Sequence, residues 1–343
     1  MVQPVFAGDR PMRELLDELG LQDYESVEST TSMIQDCGQE VFAVLKPVSN
    51  KNSERLLLKE RRSYLSDAEF RKHIELHRHI FRNCGPVVPL PASFVDRLPL
   101  STPNKRLFEV LTWVEGSPVN PESASDLALL GNTLARFHIA AADFCWVASP
   151  DLHKEPRDRF AKAEFYRPLL RDGLGKSCHP LETRLYELLQ HARTRLDSIN
   201  CLIGPEALQA IHGDPDTVNA LIVTDGCLLL DYDDAHLSTR AADLAWLATL
   251  TSGMERVVGS VQYSFRAEWS RPLLKAIIGG YQKRMALGTP GLEGLRWWMT
   301  ASIVCAAVDC FFDDGCLVDR SRLNAECSRA LELISELERM QLG

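Results

Sequence analysis

The segment IHGDPDTVN, from Ile211 to Asn219, places a histidine, two aspartates and an asparagine directly after an apolar residue. Asp, Asn, Gly and Pro all favour turn geometry, so a polar turn is the simplest interpretation. The sequence downstream supports a second one, because Asp231 follows the apolar run CLLL, which predicts a strand. A hairpin would bring Asp214, Asn219 and Asp231 together, and Mg²⁺ prefers such oxygen-bearing side chains as ligands.

The spacing H-x-D-x-x-x-x-N followed by a strand-end aspartate is that of kinase catalytic loops. With HGD in the loop and DYDD at 231–234, it resembles the aminoglycoside phosphotransferase and choline kinase family. The resemblance implies an α+β, bilobal, protein-kinase-like fold with a small N-terminal antiparallel-sheet lobe and a larger, mainly helical C-terminal lobe. LGNTLARFH at 130–138 and ADLAW at 242–246 are similar to structural helix motifs of the family. IIGGYQKRM at 277–285 resembles a C-terminal helix of its homoserine and hydroxylysine kinase branches.

The resemblance implies a role for each side chain of the loop. Asp214 would be the base that takes the proton of an acceptor hydroxyl, and His212 would brace the loop. Asn219 and Asp231 would hold the Mg²⁺ that bridges the phosphates of ATP. Three further aspartates are candidates for contact with substrate or a second metal, with a solvated acidic turn as the alternative: Asp216, Asp233 and Asp234.

A lysine in the first lobe matches the one that binds the α- and β-phosphates. Lys59, at the end of RLLLKE, occupies this position, and Lys46, at the end of VFAVLK, is the alternative. Glu75 on the next helix matches the glutamate that positions the lysine, with Glu69 as the competing carboxylate.

The segment LTWVEG at 111–116 is similar to the hinge between the two lobes. Its backbone would bind adenine through residues Thr112, Trp113 and Val114. The loop that covers the phosphates would lie between Val27 and Val41, where Gly38 is the single glycine.

The chain has 343 residues, more than one domain usually contains. We predict an N-terminal nucleotide-binding lobe at 1–111, a hinge at 112–116 and a C-terminal catalytic and substrate-binding lobe at 117–343. In the first lobe, strands are predicted near Val27 and at 40–48, 55–60 and 106–116, with helices at 11–21 and 66–81. In the second, a β-like island is predicted at 220–231 and helices at 127–144, 155–170, 181–199, 239–253, 268–286, 292–312 and 321–341.

The composition limits the partners. A net charge of −9 argues against nucleic acid or an anionic membrane, since both require a basic face. The ten cysteines contain no C-x-x-C pair and are interpreted as reduced thiols. The first residues lack a signal-peptide pattern, so we expect a cytoplasmic protein. The sequence does not specify an oligomeric state.

The sequence thus predicts an Mg²⁺-dependent kinase that transfers the γ-phosphoryl group of ATP, with GTP as the alternative, to a small-molecule hydroxyl. The acceptor would be an aminoglycoside, an amino acid or an amino alcohol. An amino acid requires a cation for its carboxylate, and four are candidates: Arg157, Arg159, Lys162 and Arg167. A protein Ser/Thr kinase of the stress-response type and a nucleotide-sensing pseudokinase are the alternatives.

Overall fold

The computed structural model describes two compact units, which divide between Ser117 and Pro118. The described residues are 12–26, 42–47, 55–60, 66–85, 87–89, 97–103, 105–146, 160, 164, 167–168, 179–203, 208–256, 263–309, 312–313, 316–317 and 320–342.

The first unit is an antiparallel sheet of five strands with two helices. The strand order is β1-β2-β3-β5-β4. Its elements are α1 Met12–Glu18, β1 Tyr24–Ser26, β2 Phe42–Pro47, β3 Leu56–Glu60, α2 Asp67–Cys84, β4 Leu100–Ser101 and β5 Leu107–Thr112. Leucines of α1 and apolar side chains of β2, β3, β5 and α2 form one buried core.

The start of α2 is set by the capping box that its sequence predicts. The Ser66 hydroxyl accepts a hydrogen bond from the Glu69 backbone N–H at 3.3 Å, and the Glu69 carboxylate accepts one from the Ser66 backbone N–H at 3.1 Å. The capping box therefore satisfies two backbone donors at this helix end. Phe70 and Ile74 then fall on the buried face, as the apolar spacing predicts.

The second unit is mainly helical, with short strand pairs. Its helices are α3 Ala124–Ala141, α4 His179–Ile203, α5 Arg240–Ala248 with a π-helical extension Thr249–Gly253, α6 Arg271–Gln282, α7 Gly288–Asp309 and α8 Arg320–Arg339. Strand β6 Ser117–Pro118 contains the point at which the chain passes from the first unit to the second. The strands of the second unit are β7 Leu208–Ile211, β8 Ala220–Val223, β9 Gly226–Leu229, β10 His236–Thr239, β11 Met254–Arg256, β12 Tyr263–Phe265, β13 Phe312–Asp313 and β14 Cys316–Leu317. No helix in the described part of the chain is long and apolar enough to span a bilayer.

The predicted fold class is confirmed, with a small antiparallel sheet in one unit and mostly helices in the other. The island at 220–231 is the β8–β9 hairpin. Two antiparallel pairs that the sequence did not predict, β7–β10 and β11–β12, consist of strands of four and three residues, which are too short for a periodic signal. Most of the helix predicted at 155–170, and the predicted phosphate-covering loop, lie outside the described residues.

Helices α3 and α6 pack with their backbones almost in contact. A Cβ atom on Gly280 of α6 would lie 2.1 Å from the carbonyl oxygen of Ala128. A Cβ atom on Gly131 of α3 would likewise lie 2.4 Å from the carbonyl oxygen of Ile277. Only glycine fits both positions, so the two helices approach each other more closely than side chains would permit.

We predict that Gly280→Ala destabilises the fold, because overpacking a tight contact costs about 1–3 kcal/mol. The neighbouring Gly279 is the matched control, since nothing lies within 4 Å of a Cβ atom added there. Gly279→Ala should be neutral or stabilising by up to about 1 kcal/mol, because alanine favours the helix. Urea unfolding of both variants tests this. Equal stabilities would contradict the close contact.

Candidate active site

The loop after β7 is held by one buried carboxylate, that of Asp243 in α5. Its Oδ2 accepts a hydrogen bond from the backbone N–H of His212 at 2.7 Å, and its Oδ1 accepts one from that of Gly213 at 2.9 Å. Asp243 is fully buried. Burial alone would raise its pKa, but the hydrogen bonds from His138 and from the Gly213 N–H contribute to a net lowering. The carboxylate is therefore ionised and anchors the loop backbone.

A second layer supports Asp243. His138 of α3 donates from Nε2 to Asp243 Oδ2 at 3.0 Å, and its Nδ1 lies 2.8 Å from the hydroxyl of Tyr281 on α6. These contacts require α3 and α6 to lie close together, which the glycines at 131 and 280 permit. The three helix motifs noted in the sequence therefore meet behind the loop.

The side chain of His212 is buried and neutral. Burial lowers its pKa and outweighs the neighbouring carboxylates, which raise it. Its Nε2 lies 2.9 Å from the Leu230 carbonyl oxygen, which can only accept, so Nε2 carries the proton. Nδ1 then accepts from the backbone N–H of Asp214 at 3.3 Å. This arrangement braces the loop.

Gly213 is required by both conformation and space. Its φ is 89°, in the left-handed region that L side chains rarely adopt. A Cβ atom would lie 1.9 Å from the carbonyl oxygen of Asp234. The loop thus runs directly against the DYDD segment.

The Asp214 carboxylate is held from two sides. Asn219 donates from Nδ2 to its Oδ2 at 3.0 Å and to its backbone carbonyl at 3.1 Å. Trp246 donates from Nε1 to Oδ1 at 2.8 Å. Both bonds use the amide nitrogen of Asn219, so its Oδ1 takes no part in holding Asp214. Asp214 itself remains partly exposed.

Asp231 is placed beside Asn219 by the hairpin. Residue 220 is paired with residue 229, and the Leu230 N–H donates to the carbonyl oxygen of Asn219 at 2.8 Å. Asp231 has a φ of 58°, a left-handed conformation that Asp tolerates better than most residues. The structure therefore brings Asp214, Asn219 and Asp231 together.

The other aspartates of this region differ in environment. Asp216 is buried: its Oδ1 accepts from the backbone N–H of Thr217 at 2.5 Å, and its Oδ2 accepts from the Tyr263 hydroxyl at 2.5 Å. Burial, reinforced by the charge of Asp214, raises the pKa of Asp216 to about 6, although the hydrogen bonds from Tyr263 and Thr217 oppose the rise.

Asp233 is buried and Asp234 is half-buried. The Asp234 carbonyl oxygen accepts from His236 Nδ1 at 2.8 Å, so the backbone of this segment is held by a side chain two residues further along the chain. A fully solvated acidic turn does not describe these two residues.

The first unit carries the predicted phosphate-binding lysine on its central strand. Lys59 on β3 is buried and lies opposite Phe42 of β2 and Glu109 of β5. Glu109 is also buried and lies 2.5 Å from Nδ1 of His77 on α2. The position of Glu109 opposite Lys59 was not predicted from the sequence, because it depends on strand pairing.

Glu75 does not occupy the position that the family pattern predicts. It lies on the exposed side of α2, and its carboxylate is paired at 2.9 Å with Lys72 rather than with Lys59. The competing Glu69 is bound to Ser66 at the start of the same helix. The side chain of Lys46 lies outside the described residues.

The predicted hinge continues β5. The Trp113 N–H donates to the Arg55 carbonyl oxygen at 2.8 Å, so it extends the pairing with β3. Thr112 is the last residue of β5 and pairs with Leu56. Within the described residues, no backbone partner bonds to the N–H or C=O of Val114.

The donor set around Asn219 and Asp231 suits a hard cation that keeps further ligands. In the described ranges, no cluster of three or more His, Cys, Asp or Glu side chains is arranged to hold a metal ion. Mg²⁺ is usually bound by one or two protein oxygens together with substrate phosphates, and an amide oxygen beside a carboxylate fits that pattern.

Comparison with known proteins identifies the class. A family model described as "Phosphotransferase enzyme family" matches residues 41–298, and the chain belongs to this family. It is therefore a phosphotransferase. A search of curated proteins finds no match.

Similar solved structures show the same fold at low sequence identity. One is an aminoglycoside phosphotransferase from Alicyclobacillus acidocaldarius, with 13% identity, a TM-score of 0.55, and coverage of 94% of this chain and 98% of that one. A choline kinase from Cryptosporidium parvum has 14% identity, a TM-score of 0.59, and coverage of 92% and 90%. Amicoumacin kinase in complex with AMP-PNP, Ca²⁺ and its ligand has 13% identity, a TM-score of 0.60, and coverage of 94% and 93%.

We predict that Asp216→Asn changes the pH dependence of stability. The folded pKa of about 6 lies above the usual value of about 3.9, so protonation stabilises the folded state below about pH 4. This stabilisation is lost as the pH rises through about 6, where the buried carboxylate becomes charged. Neutral asparagine avoids that cost. The Tm of Asp216→Asn relative to the wild type should therefore be higher at pH 8 than at pH 4.

Thermal unfolding between pH 4 and 8 measures the effect. Asp225→Asn, in the exposed turn of the β8–β9 hairpin, is the control for the removal of one carboxylate. A pH-independent Tm difference for Asp216→Asn would contradict the raised pKa.

Proposed function

We propose that this phosphotransferase moves the γ-phosphoryl group of ATP to a hydroxyl group of a small molecule. The observation that carries the proposal is the position of Asn219, whose amide nitrogen bonds to Asp214 while its backbone bonds to Leu230, next to Asp231. One residue thus links a carboxylate that can accept a proton with a carboxylate that can bind a cation.

Asp214 would act as the base. Its carboxylate accepts a hydrogen bond from the acceptor hydroxyl and takes the proton as transfer completes. Phosphoryl transfer has a loose, highly charged transition state, so positioning and charge neutralisation supply most of the catalysis. His212 is neutral and buried, and both of its ring nitrogens form hydrogen bonds that hold the loop. This supports the proposal that Asp214, and not His212, accepts the proton.

Asn219 Oδ1 and the Asp231 carboxylate would hold Mg²⁺. When bound, the ion neutralises charge on the phosphates during transfer. Asp231 directly follows Leu230, whose N–H donates to the carbonyl oxygen of Asn219 at 2.8 Å, and this backbone bond supports the proposal that the two residues act as ligands of one ion.

On the nucleotide side, we propose that Lys59 binds the α- and β-phosphates and that 112–116 is the hinge between lobes at 1–111 and 117–343. Val114 would bind adenine, since its backbone groups have no backbone partner among the described residues. The proposed lysine is buried on a central strand, which limits its motion.

The acceptor class that the charges favour is an amine-bearing alcohol, such as an amino alcohol or aminoglycoside. Five aspartates lie in or beside the loop, and the net charge is −9. Of the four cations proposed for a carboxylate, Arg167 is bound to Glu182 at 2.8 Å, and the others lie outside the described residues. Two proteins of similar fold, an aminoglycoside phosphotransferase and a choline kinase, bear the names of cationic substrates.

Release of ADP or GDP with ATP or GTP and a panel of amino alcohols, aminoglycosides, amino acids and sugars tests the function. Turnover confined to amine-bearing alcohols supports the proposal. Tight Mg-nucleotide binding without turnover would identify a sensor. Phosphorylation of a protein substrate, with no small-molecule turnover, would identify a protein kinase.

We predict that Asp214→Ala lowers kcat by about 10²–10⁴-fold, the usual contribution of a general base. Mg-nucleotide binding should be retained, because the variant leaves the proposed metal ligands in place. Steady-state kinetics and calorimetry measure the two effects. Wild-type turnover in Asp214→Ala would remove Asp214 from the mechanism.

Asp231→Ala should abolish the Mg²⁺ dependence of nucleotide binding, because one of the two protein ligands is lost. Titrating nucleotide with and without Mg²⁺ measures this difference. Asp225→Ala is the matched control, since it removes an exposed carboxylate from the turn of the same hairpin. The assignment is wrong if Mg²⁺ strengthens nucleotide binding equally in both variants.

A further inference from the structure

We propose that Trp246 is a positioning residue for the catalytic base: its indole N–H fixes the plane of the Asp214 carboxylate and directs it towards the acceptor hydroxyl. The inference rests on the proposed role of Asp214. It assigns a catalytic effect to a side chain that the sequence analysis placed in a structural helix motif.

The two oxygens of Asp214 have different donors. Trp246 Nε1 donates to Oδ1 at 2.8 Å, and Asn219 Nδ2 donates to Oδ2 at 3.0 Å. With Asn219 alone, the carboxylate could rotate about its Cβ–Cγ bond, because this terminal torsion is soft. A second donor on the other oxygen restricts that rotation. Each oxygen keeps a further lone pair with which to accept from a hydroxyl.

Trp246 is itself firmly held. It lies on α5 and is only 7% exposed. It follows Asp243 by three residues, a spacing that puts two side chains on neighbouring parts of one helix face. Asp243 binds the loop backbone at His212 and Gly213. One turn of α5 therefore positions both the loop backbone and the side chain that would act as base.

The bond from Trp246 also has a chemical consequence. A tryptophan N–H is only a donor, so it cannot compete with Asp214 for the proton of the acceptor. It is also uncharged, so it orients the carboxylate without the strong attraction of a cation, which would weaken a base. A donor of this type suits a group that must be fixed and yet take up a proton.

The test compares Trp246→Phe with Trp269→Phe. Trp269 is 3% exposed and donates from Nε1 to the Leu333 carbonyl oxygen at 2.9 Å. Both variants thus remove one indole N–H bond from a buried ring in the same unit. We expect Trp246→Phe to lower kcat about 10- to 100-fold, as small misplacements of catalytic groups do. The KM for nucleotide should stay within about twofold of wild type, and Trp269→Phe should retain wild-type kcat.

A double-mutant cycle shows whether Trp246 acts through Asp214. In the Asp214→Ala background, adding Trp246→Phe should leave the residual rate unchanged. A further fall of 10-fold or more would overturn the inference. So would wild-type kcat in Trp246→Phe, an equal loss in Trp269→Phe, or loss of Mg-nucleotide binding together with kcat.

These outcomes are distinct from a failure of the proposed function. If Asp214→Ala turns over like the wild type, Asp214 is not the base and the function proposal fails. If Asp214→Ala is inactive and Trp246→Phe is fully active, the base assignment stands and only the positioning role of Trp246 is wrong.

Discussion

The site depends on one buried charge, the carboxylate of Asp243. Taking a carboxylate out of water costs several kcal/mol, so the fold must supply donors for it. The His138 ring and the backbone N–H groups of His212 and Gly213 supply three. Satisfying this one group therefore holds α3, α5 and the loop after β7 in a single arrangement.

Close packing makes that arrangement possible. His138 reaches both Asp243 and the Tyr281 hydroxyl only because α3 and α6 lie backbone to backbone at Gly131 and Gly280. The same principle applies at the loop, where Gly213 runs against the carbonyl oxygen of Asp234. At each of these three glycines, a side chain would prevent the close backbone contact on which the arrangement of the polar groups depends.

The local geometry of the loop follows from the sequence. The HGDPDTVN spacing and the hairpin that follows account for the proximity of Asp214, Asn219 and Asp231, because strand and turn geometry is local. Glu75 was assigned by family pattern alone. Its position on the exposed side of α2, paired with Lys72, depends on how the helix is rotated against the sheet.

By itself, the sequence determined a strand-rich first part, a mainly helical second part and the order of the motifs, since these follow from apolar periodicity, caps and residue spacing. The fold class followed from the family resemblance that those motifs carry. Tertiary structure alone decided which distant groups meet. Trp246 reaches Asp214, Tyr263 reaches Asp216, and Glu109 lies opposite Lys59. These contacts depend on helix packing and strand register, and spacing along the chain does not encode them, because a buried polar group can be satisfied by any element that the fold brings within 3 Å or so.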